Sequence, residues 1–227
     1  MLTTKQITGL LYSMGHTFDN LASTYIATEE FLTTHNPHVI GSRGDLALLQ
    51  DLQAASRCML HYDYSHGLTL DYLKDINASM TRTAALDPGA LRKRSNIMVH
   101  TMKGDYIPPI PDENTITKLL EDATRSPGNL LDAARLFAQL AKIQPFGDGN
   151  KRTALLAANG LLIMRHQPHV LTVPVTDPEK QEFNTKLSAW YLDDDPQVID
   201  LLASYNTRLR GLDRQGHPIP TRSQRSR

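Results

Sequence analysis

The sequence predicts an all-α, mainly helical fold with one small β-hairpin, and three observations lead to this prediction. Apolar residues recur at spacings of three and four in most segments, which is the period of an amphipathic helix. Residues 153–164 (TALLAANGLLIM) are apolar on nearly all sides, as is typical of a buried central helix. Only residues 94–113 depart from the helical period, with short apolar runs on either side of Lys103, Gly104 and Asp105 that predict a hairpin.

Composition and charge narrow the class of protein. The 227 residues suffice for one domain with a sizeable core, and the 24 basic and 24 acidic residues give no overall charge that would favour nucleic acid or a membrane. The single cysteine excludes an internal disulfide and suits a reducing compartment. No stretch reaches the roughly 18 apolar residues of a membrane span. We therefore expect a cytoplasmic protein, or one exported as an effector by a signal that the sequence does not reveal, with no membrane partner.

The helices follow from their apolar faces, which we expect to meet in one core around the central helix. On the first predicted helix this face carries Leu46, Leu49, Leu52 and either Ala55 or Cys58. The amphipathic segments are residues 41–63, 68–80, 131–143 and 181–192.

The segment order also predicts a domain organisation. After the hairpin, Pro108, Pro109 and Pro111 prevent further sheet, and a helix is expected from about Asp112. We predict an N-terminal helical region over residues 1–45, a main domain over residues 46–207 and a basic, disordered tail over residues 208–227.

Residues 143–163 (IQPFGDGNKRTALLAANGLLI) read as a phosphate-binding turn that leads into the central helix. Glycines allow close backbone approach, and the start of a helix presents unpaired N–H groups and a positive dipole end to a ligand. Asp148 can hold Mg²⁺, while Lys151 and Arg152 lie in the first turn, where cations oppose the dipole unless an anion is bound. This pattern favours nucleotide phosphates; an ordinary turn with an N-cap is the alternative interpretation.

The complete string resembles the signature of the Fic family, H-P-F-x-[DE]-G-N-G-R. The hairpin and the proline-led helix after it resemble the family's flap region, and residues 188–195 (SAWYLDDD) resemble a later helix. This resemblance covers roughly residues 46–205 and implies the mainly helical Fic fold. It also implies binding of ATP with Mg²⁺ and transfer of AMP to a hydroxyl of a target protein, or of phosphate in the related Doc branch. The matching positions are Pro145, Phe146, Asp148, Gly149, Asn150 and Arg152.

The resemblance implies a role for each residue of the loop. Phe146 would anchor the loop in the core, and Asn150 would fix its shape. Asp148 would bind the Mg²⁺ on the α and β phosphates, and Arg152 would pair with the outer phosphates. The implied phosphate-binding set is Gly147, Asp148, Gly149, Asn150, Lys151 and Arg152.

The flap carries the implied contact with a protein target, by addition of a strand. An antitoxin chain or a second copy of this chain are further partners that the resemblance leaves open. The flap residues concerned are Val99, His100, Thr101 and Met102.

The sequence departs from the family at the catalytic position, because Gln144 stands where the family has the general-base histidine. An amide does not titrate near neutral pH and cannot accept the proton of the target hydroxyl. General-base catalysis contributes roughly 10²- to 10⁴-fold, so we expect impaired transferase activity. His100 in the hairpin is the nearest alternative base.

Two further departures concern the transferred group and its regulation. Lys151 resembles the Doc branch, whereas Pro145 and Gly149 resemble the main family, so the transferred group stays open. The family's inhibitory helix, [ST]-x-x-x-E-[GN], is matched best by residues 23–28 (STYIAT), with Ala27 at the glutamate position. Glu29 lies about 200° further round a helix. These residues form either an ordinary surface helix or an inhibitory helix that has lost its glutamate.

Three hypotheses for the function remain at this point. The first is a Fic-fold protein that binds nucleotide but transfers little or nothing, and acts as a regulatory or partner-binding module. The second is an active transferase, including a toxin-type enzyme, that uses another base. The third is binding of nucleic acid through the arginine-rich tail, which we do not expect because its basic residues are sparse and no aromatic residues alternate with them.

Overall fold

The computed structural model describes residues 2–83, 87–95 and 97–209 of the chain. The predicted tail lies outside the described residues from residue 210 onward, and its first two residues belong to the last helix. Over the described residues, the predicted all-α fold with one hairpin is confirmed. The helices are α1 Thr4–Phe18, α2 Tyr25–Thr34, α3 Arg43–His61, α4 Leu70–Ala78, α5 Glu113–Arg125, α6 Leu130–Ile143, α7 Asn150–Met164, α8 Asp177–Asp193 and α9 Gln197–Leu209.

Capping side chains that the sequence makes visible set the starts of several helices. Asp112, where the sequence predicts a helix to begin, is the N-cap of α5 and accepts a hydrogen bond from the Thr115 amide. Asn129 begins α6 with a capping box whose reciprocal partner is Asp132. These two helices therefore begin where local hydrogen bonding satisfies their first unpaired amides.

The central helix α7 is buried on nearly all sides, as its composition predicts. It packs against α6, α3, α4 and α1. Gly160 of α7 makes room for the Tyr72 hydroxyl of α4, because a Cβ at Gly160 would lie 2.0 Å from that oxygen. The close packing of α4 on α7 brings the end of α4 next to the loop before α7.

The N-terminal helix α1 shares the core of the central helix. Leu10, Leu11 and Met14 of α1 are fully buried in the same apolar cluster as Leu155 and Leu156 of α7. This packing places the C-terminal end of α1 beside the start of α7. The predicted boundary after residue 45 stays a prediction.

The hairpin consists of β1 Val99–Thr101 and β2 Gly104–Tyr106, paired antiparallel with Val99 opposite Tyr106. Two contacts with α8 fix its position. Tyr106 stacks on Tyr191 of α8 with ring centroids 5.3 Å apart, and the Met102 amide donates to the Ser188 hydroxyl at 3.2 Å. The Tyr106 hydroxyl also donates to the Lys142 carbonyl at 3.2 Å, so the hairpin lies over α8 and next to the end of α6. None of the described helices is long and apolar enough to span a membrane.

Candidate functional site

A pocket lies between the loop before α7, the hairpin and the end of α1. The predicted loop and flap both contribute to it, and α1 adds two residues that the sequence did not indicate, Phe18 and Asp19. The lining residues are Phe18, Asp19, Ile97, Met98, Val99, Gln144, Gly147, Asp148, Gly149, Asn150, Lys151 and Arg152.

The loop ends one helix and begins another without a side-chain cap. Gln144 ends α6 in the left-handed conformation, and Gly149, with φ of 72°, is the N-cap of α7. No side chain caps the start of α7. The first N–H groups of this helix are therefore not satisfied by a side chain. A Cβ at Gly149 would lie 3.0 Å from Met80 and 3.1 Å from Asn77. The geometry departs from an ordinary side-chain-capped turn and suits an anion at the helix start.

Asn150 closes the loop with its own side chain. Its Oδ1 accepts from the Phe146 amide and its Nδ2 donates to the Phe146 carbonyl, both at 2.8 Å. Phe146 is 1% exposed and lies in the apolar core. A buried amide that pairs both its donor and its acceptor with one backbone unit holds the loop in a single shape.

Arg152 is buried and faces the pocket with two of its nitrogens. Its Nη1 donates to the Thr83 hydroxyl at 2.9 Å. Its Nε lies 3.7 Å from Asp19 Oδ1, and its Nη2 lies 3.6 Å from Asp148 Oδ2. These two distances are too long for hydrogen bonds, so the carboxylates balance the charge of Arg152 without taking up its donors.

The charges of the pocket alter one another's ionisation. Burial raises the pKa of Asp19, and the nearby cations Arg152 and Lys151 oppose that rise. Burial lowers the pKa of Lys151, while Asp19 favours its charged form. The Lys151 ammonium lies over the Phe18 ring at 5.1 Å. Asp19 Oδ2 is buried and has no hydrogen-bond partner among the described residues.

Asn77, on α4, supports the loop from a position that sequence reasoning missed. Its Nδ2 donates to the Asp148 carbonyl at 3.0 Å and to the Thr153 hydroxyl at 3.1 Å. Its Oδ1 accepts from the Gly89 amide at 2.8 Å. Asn77 therefore ties the loop to α4, and the sequence gives no local sign of this because the partners lie far apart along the chain.

Arg92 supports the other end of the loop and was also missed. Its side chain is buried, and it donates to backbone carbonyls of both the loop and the hairpin base. The Nε contacts the Gln144 carbonyl at 2.6 Å and Nη1 contacts the Arg94 carbonyl at 2.9 Å, while Nη2 donates to the Pro109 carbonyl. Burial lowers the pKa of Arg92. This residue fixes the hairpin base relative to Gln144.

Gln144 and His100 are the candidates for proton transfer, and the structure separates them. The Gln144 side chain is 5% exposed, and its amide donates to the Ala141 carbonyl at 2.6 Å. His100 lies on β1 next to Val99, but only Val99 lines the pocket. The exposed His100 ring instead pairs with Asp105 at 2.7 Å. The structure therefore does not bring His100 to the loop.

Residues 23–28 lie away from the pocket. Thr24 is the N-cap of α2, and the Ser23 amide donates to Asp45 at 2.7 Å. None of these residues lines the pocket. The acidic side chain from the N-terminal helices that reaches Arg152 is Asp19, at the end of α1.

Comparisons with known proteins agree with this fold. Residues 67–162 match the family model described as Fic/DOC family, which confirms the predicted resemblance. A search of the curated proteins found no match.

Solved structures are similar along most of the chain. A Fic domain containing signaling protein from Bacteroides thetaiotaomicron has a TM-score of 0.63 at 18% identity, covering 92% of this chain and 89% of that chain. Fic-1 from C. elegans, residues 134–508, has a TM-score of 0.65 at 17% identity. That match covers 90% of this chain and 60% of the C. elegans chain. At these identities the similarity shows the fold alone.

Proposed function

We propose that this chain, whose residues 67–162 match the Fic/DOC family, binds the phosphates of ATP with Mg²⁺ at residues 144–152 and has little transferase activity. The family includes enzymes that transfer AMP and other nucleotidyl groups. The observation that carries the proposal is the uncapped start of α7, where free amides, Lys151 and Arg152 meet in one pocket. Such a helix start binds phosphate through its amides and its dipole.

The residues present fit the implied ligands. Asp148 has a half-exposed carboxylate at the pocket, and Mg²⁺ commonly takes one or two carboxylates together with phosphate oxygens. When bound, the ion would neutralise phosphate charge. The Nε and Nη2 atoms of Arg152 form the edge that can bind a phosphate in a bidentate manner. Gly149 has no side chain, and a Cβ there would lie 3.0 Å from Met80 and 3.1 Å from Asn77, so the loop packs closely against the end of α4 at this position.

The low transferase activity that we propose follows from the side chain at the family's general-base position. Gln144 has no titratable group and already donates to the Ala141 carbonyl. A missing general base lowers the rate roughly 10²- to 10⁴-fold. The second hypothesis, an active transferase with another base, receives no support from His100, which is paired with Asp105 outside the pocket lining.

The proposed partner is an extended segment of another protein on the flap. Met98 lines the pocket and is 48% exposed, and Met102 at the hairpin turn is 58% exposed. The described sheet has two strands, so an added strand can pair with its edge. A regulatory role, in which the protein binds nucleotide and partner without transfer, is consistent with Gln144.

Binding and transfer are tested separately. We expect Arg152→Ala to weaken MgATP binding at least about tenfold in calorimetry, because it removes a charged hydrogen-bonding group from the phosphates. Arg57→Ala, on the exposed face of α3, is the matched control and should bind normally. Unchanged binding by Arg152→Ala, or no binding by the natural protein, would refute the nucleotide site.

The transfer experiment uses the natural protein and Gln144→His with ATP labelled at the α or the γ phosphate, in cell lysate. We expect label on protein only with Gln144→His, because histidine restores a base. The labelled phosphate then shows whether AMP or phosphate is transferred. Equal labelling by the natural protein would contradict the proposed impairment.

A further inference from the structure

The Arg152 guanidinium is fixed at one end and open at the other. Nη1 donates to the Thr83 hydroxyl at 2.9 Å, which is an ordinary hydrogen bond. Nε and Nη2 form a different edge of the group, which faces Asp19 and Asp148 across 3.7 and 3.6 Å. The hydrogen bond to Thr83 thus decides which edge of the guanidinium is turned to the pocket.

Thr83 is itself held by Asp51, a residue of α3 whose side chain is fully buried. Asp51 Oδ2 accepts from the Thr83 amide at 2.7 Å and from the Thr83 hydroxyl at 2.8 Å. A hydroxyl has one proton to donate, so once Thr83 donates it to Asp51, its oxygen meets Arg152 as an acceptor. Hydrogen bonds in such a chain polarise one another. The negative charge of Asp51 therefore strengthens the contact with Arg152.

The carboxylate of Asp51 also fixes the backbone that carries Thr83. The Arg82 amide lies 2.9 Å from Oδ2 and 3.2 Å from Oδ1, and Arg82 Nη1 lies 3.3 Å from Oδ1. A fully buried carboxylate is stable only when its oxygens are satisfied in this way. The position of Thr83 is consequently set by α3 rather than by the loop that binds phosphate.

We propose that Asp51 and Thr83 are positioning residues that orient Arg152 so that its Nε and Nη2 atoms meet the outer phosphates of bound nucleotide. Neither residue lines the pocket, so both act through Arg152. A guanidinium that is already oriented loses less conformational entropy when the ligand binds. This inference rests on the proposed function, since it assigns the orientation of a residue in the same site.

The test removes only the hydroxyl. Thr83→Val keeps the shape of the side chain, and Thr83→Ser keeps the hydroxyl. We expect Thr83→Val to weaken MgATP binding about tenfold and Thr83→Ser to restore it, with AMP binding unchanged because AMP has no outer phosphates. Thr33→Val, which removes an exposed hydroxyl on α2, is the control and should bind MgATP like the natural protein.

A second measurement needs no nucleotide. In NMR spectra of the ligand-free protein, we expect the Nη1 protons of Arg152 to exchange slowly with water in the natural protein and in Thr83→Ser. We expect fast exchange in Thr83→Val, whose folding is checked by thermal unfolding; Thr83→Ala replaces it if it does not fold.

The two measurements separate the two proposals. If no variant binds MgATP, the proposed function fails, and proton exchange still decides whether Thr83 orders Arg152. Slow exchange in Thr83→Val would overturn the positioning role. An equal loss of AMP and MgATP affinity, or unchanged MgATP affinity, would overturn it as well.

Discussion

Arg152 is surrounded by side chains from three separate parts of the chain. Asp19 comes from the end of α1, Thr83 from the segment after α4, and Asp148 from the loop itself. Each contact has a different consequence, because Thr83 accepts a hydrogen bond whereas the carboxylates contribute charge at a longer distance. At the scale of single residues, the pocket therefore holds two acidic side chains, Asp19 and Asp148, whose charges offset those of Lys151 and Arg152.

Asp19 should make stability depend on pH. Burial raises its folded-state pKa, so its neutral form is favoured in the folded protein. The corresponding stability is fully present below the unfolded-state pKa and is lost as pH rises through the folded-state pKa. We therefore expect Asp19→Asn to raise the free energy of unfolding at neutral pH, and this gain to shrink as the pH falls through the raised folded-state pKa and to be lost below the unfolded-state pKa of about 4.

Urea unfolding of both proteins across this pH range is the measurement. Asp45→Asn provides a comparison, because Asp45 accepts hydrogen bonds from Ser23 outside the pocket. It should lower stability at neutral pH, since a favourable acceptor is weakened. A loss of stability at neutral pH in Asp19→Asn would show that the attraction to Arg152 outweighs the burial of the carboxylate.

At the scale of elements, the contact between α4 and α7 positions the loop. Asn77 can reach the Asp148 carbonyl only because α4 lies close to α7, and that approach depends on Gly160. The Tyr72 and Tyr64 hydroxyls lie 3.0 Å apart over this glycine. A glycine within a helix costs roughly 0.5–1 kcal/mol of stability relative to alanine. The close approach of α4 to α7 explains why a glycine occupies position 160 despite this cost.

Gly160→Ala should destabilise the protein by about 1–3 kcal/mol, because the new Cβ would lie 2.0 Å from the Tyr72 oxygen and 2.8 Å from the Tyr64 oxygen. Gly9→Ala in α1 is the matched control. A Cβ there meets nothing within 4 Å, so a gain of roughly 0.4–1 kcal/mol is expected. Chemical denaturation measures both, and equal effects of the two substitutions would contradict the packing argument.

At the scale of the whole molecule, the described helices share one apolar core. Leu11 of α1, Ile76 of α4 and Leu156 of α7 are all fully buried in it. The sequence predicts a separate N-terminal region up to residue 45, and the shared core raises the question of whether that region unfolds on its own. Two-state unfolding is the usual behaviour of elements that share one core.

We expect a single cooperative transition. Leu11→Ala should cost about 2–5 kcal/mol and shift the whole curve, whereas Ile26→Ala, at a position 74% exposed, should change little. Fluorescence of Trp190 on α8 and far-ultraviolet circular dichroism should report the same midpoint. Separate midpoints, with Trp190 unaffected by Leu11→Ala, would instead support an independent N-terminal region.

The sequence by itself determined the hairpin and most of the helices, and it predicts a phosphate-binding loop over residues 143–152. These features depend on periodicity, capping and glycine at neighbouring positions, so they can be read locally. Even the departure at Gln144 is visible there, because the chemistry of an amide does not depend on the fold.

Only the tertiary structure decided what surrounds the loop. Asp19, Asn77, Thr83 and Arg92 reach it through helix packing, and no spacing in the sequence marks them because their partners lie more than 50 residues away. The same packing placed His100 on the exposed side of β1. Side-chain direction at such positions follows from how several helices pack together in one core, which is a property of the whole chain.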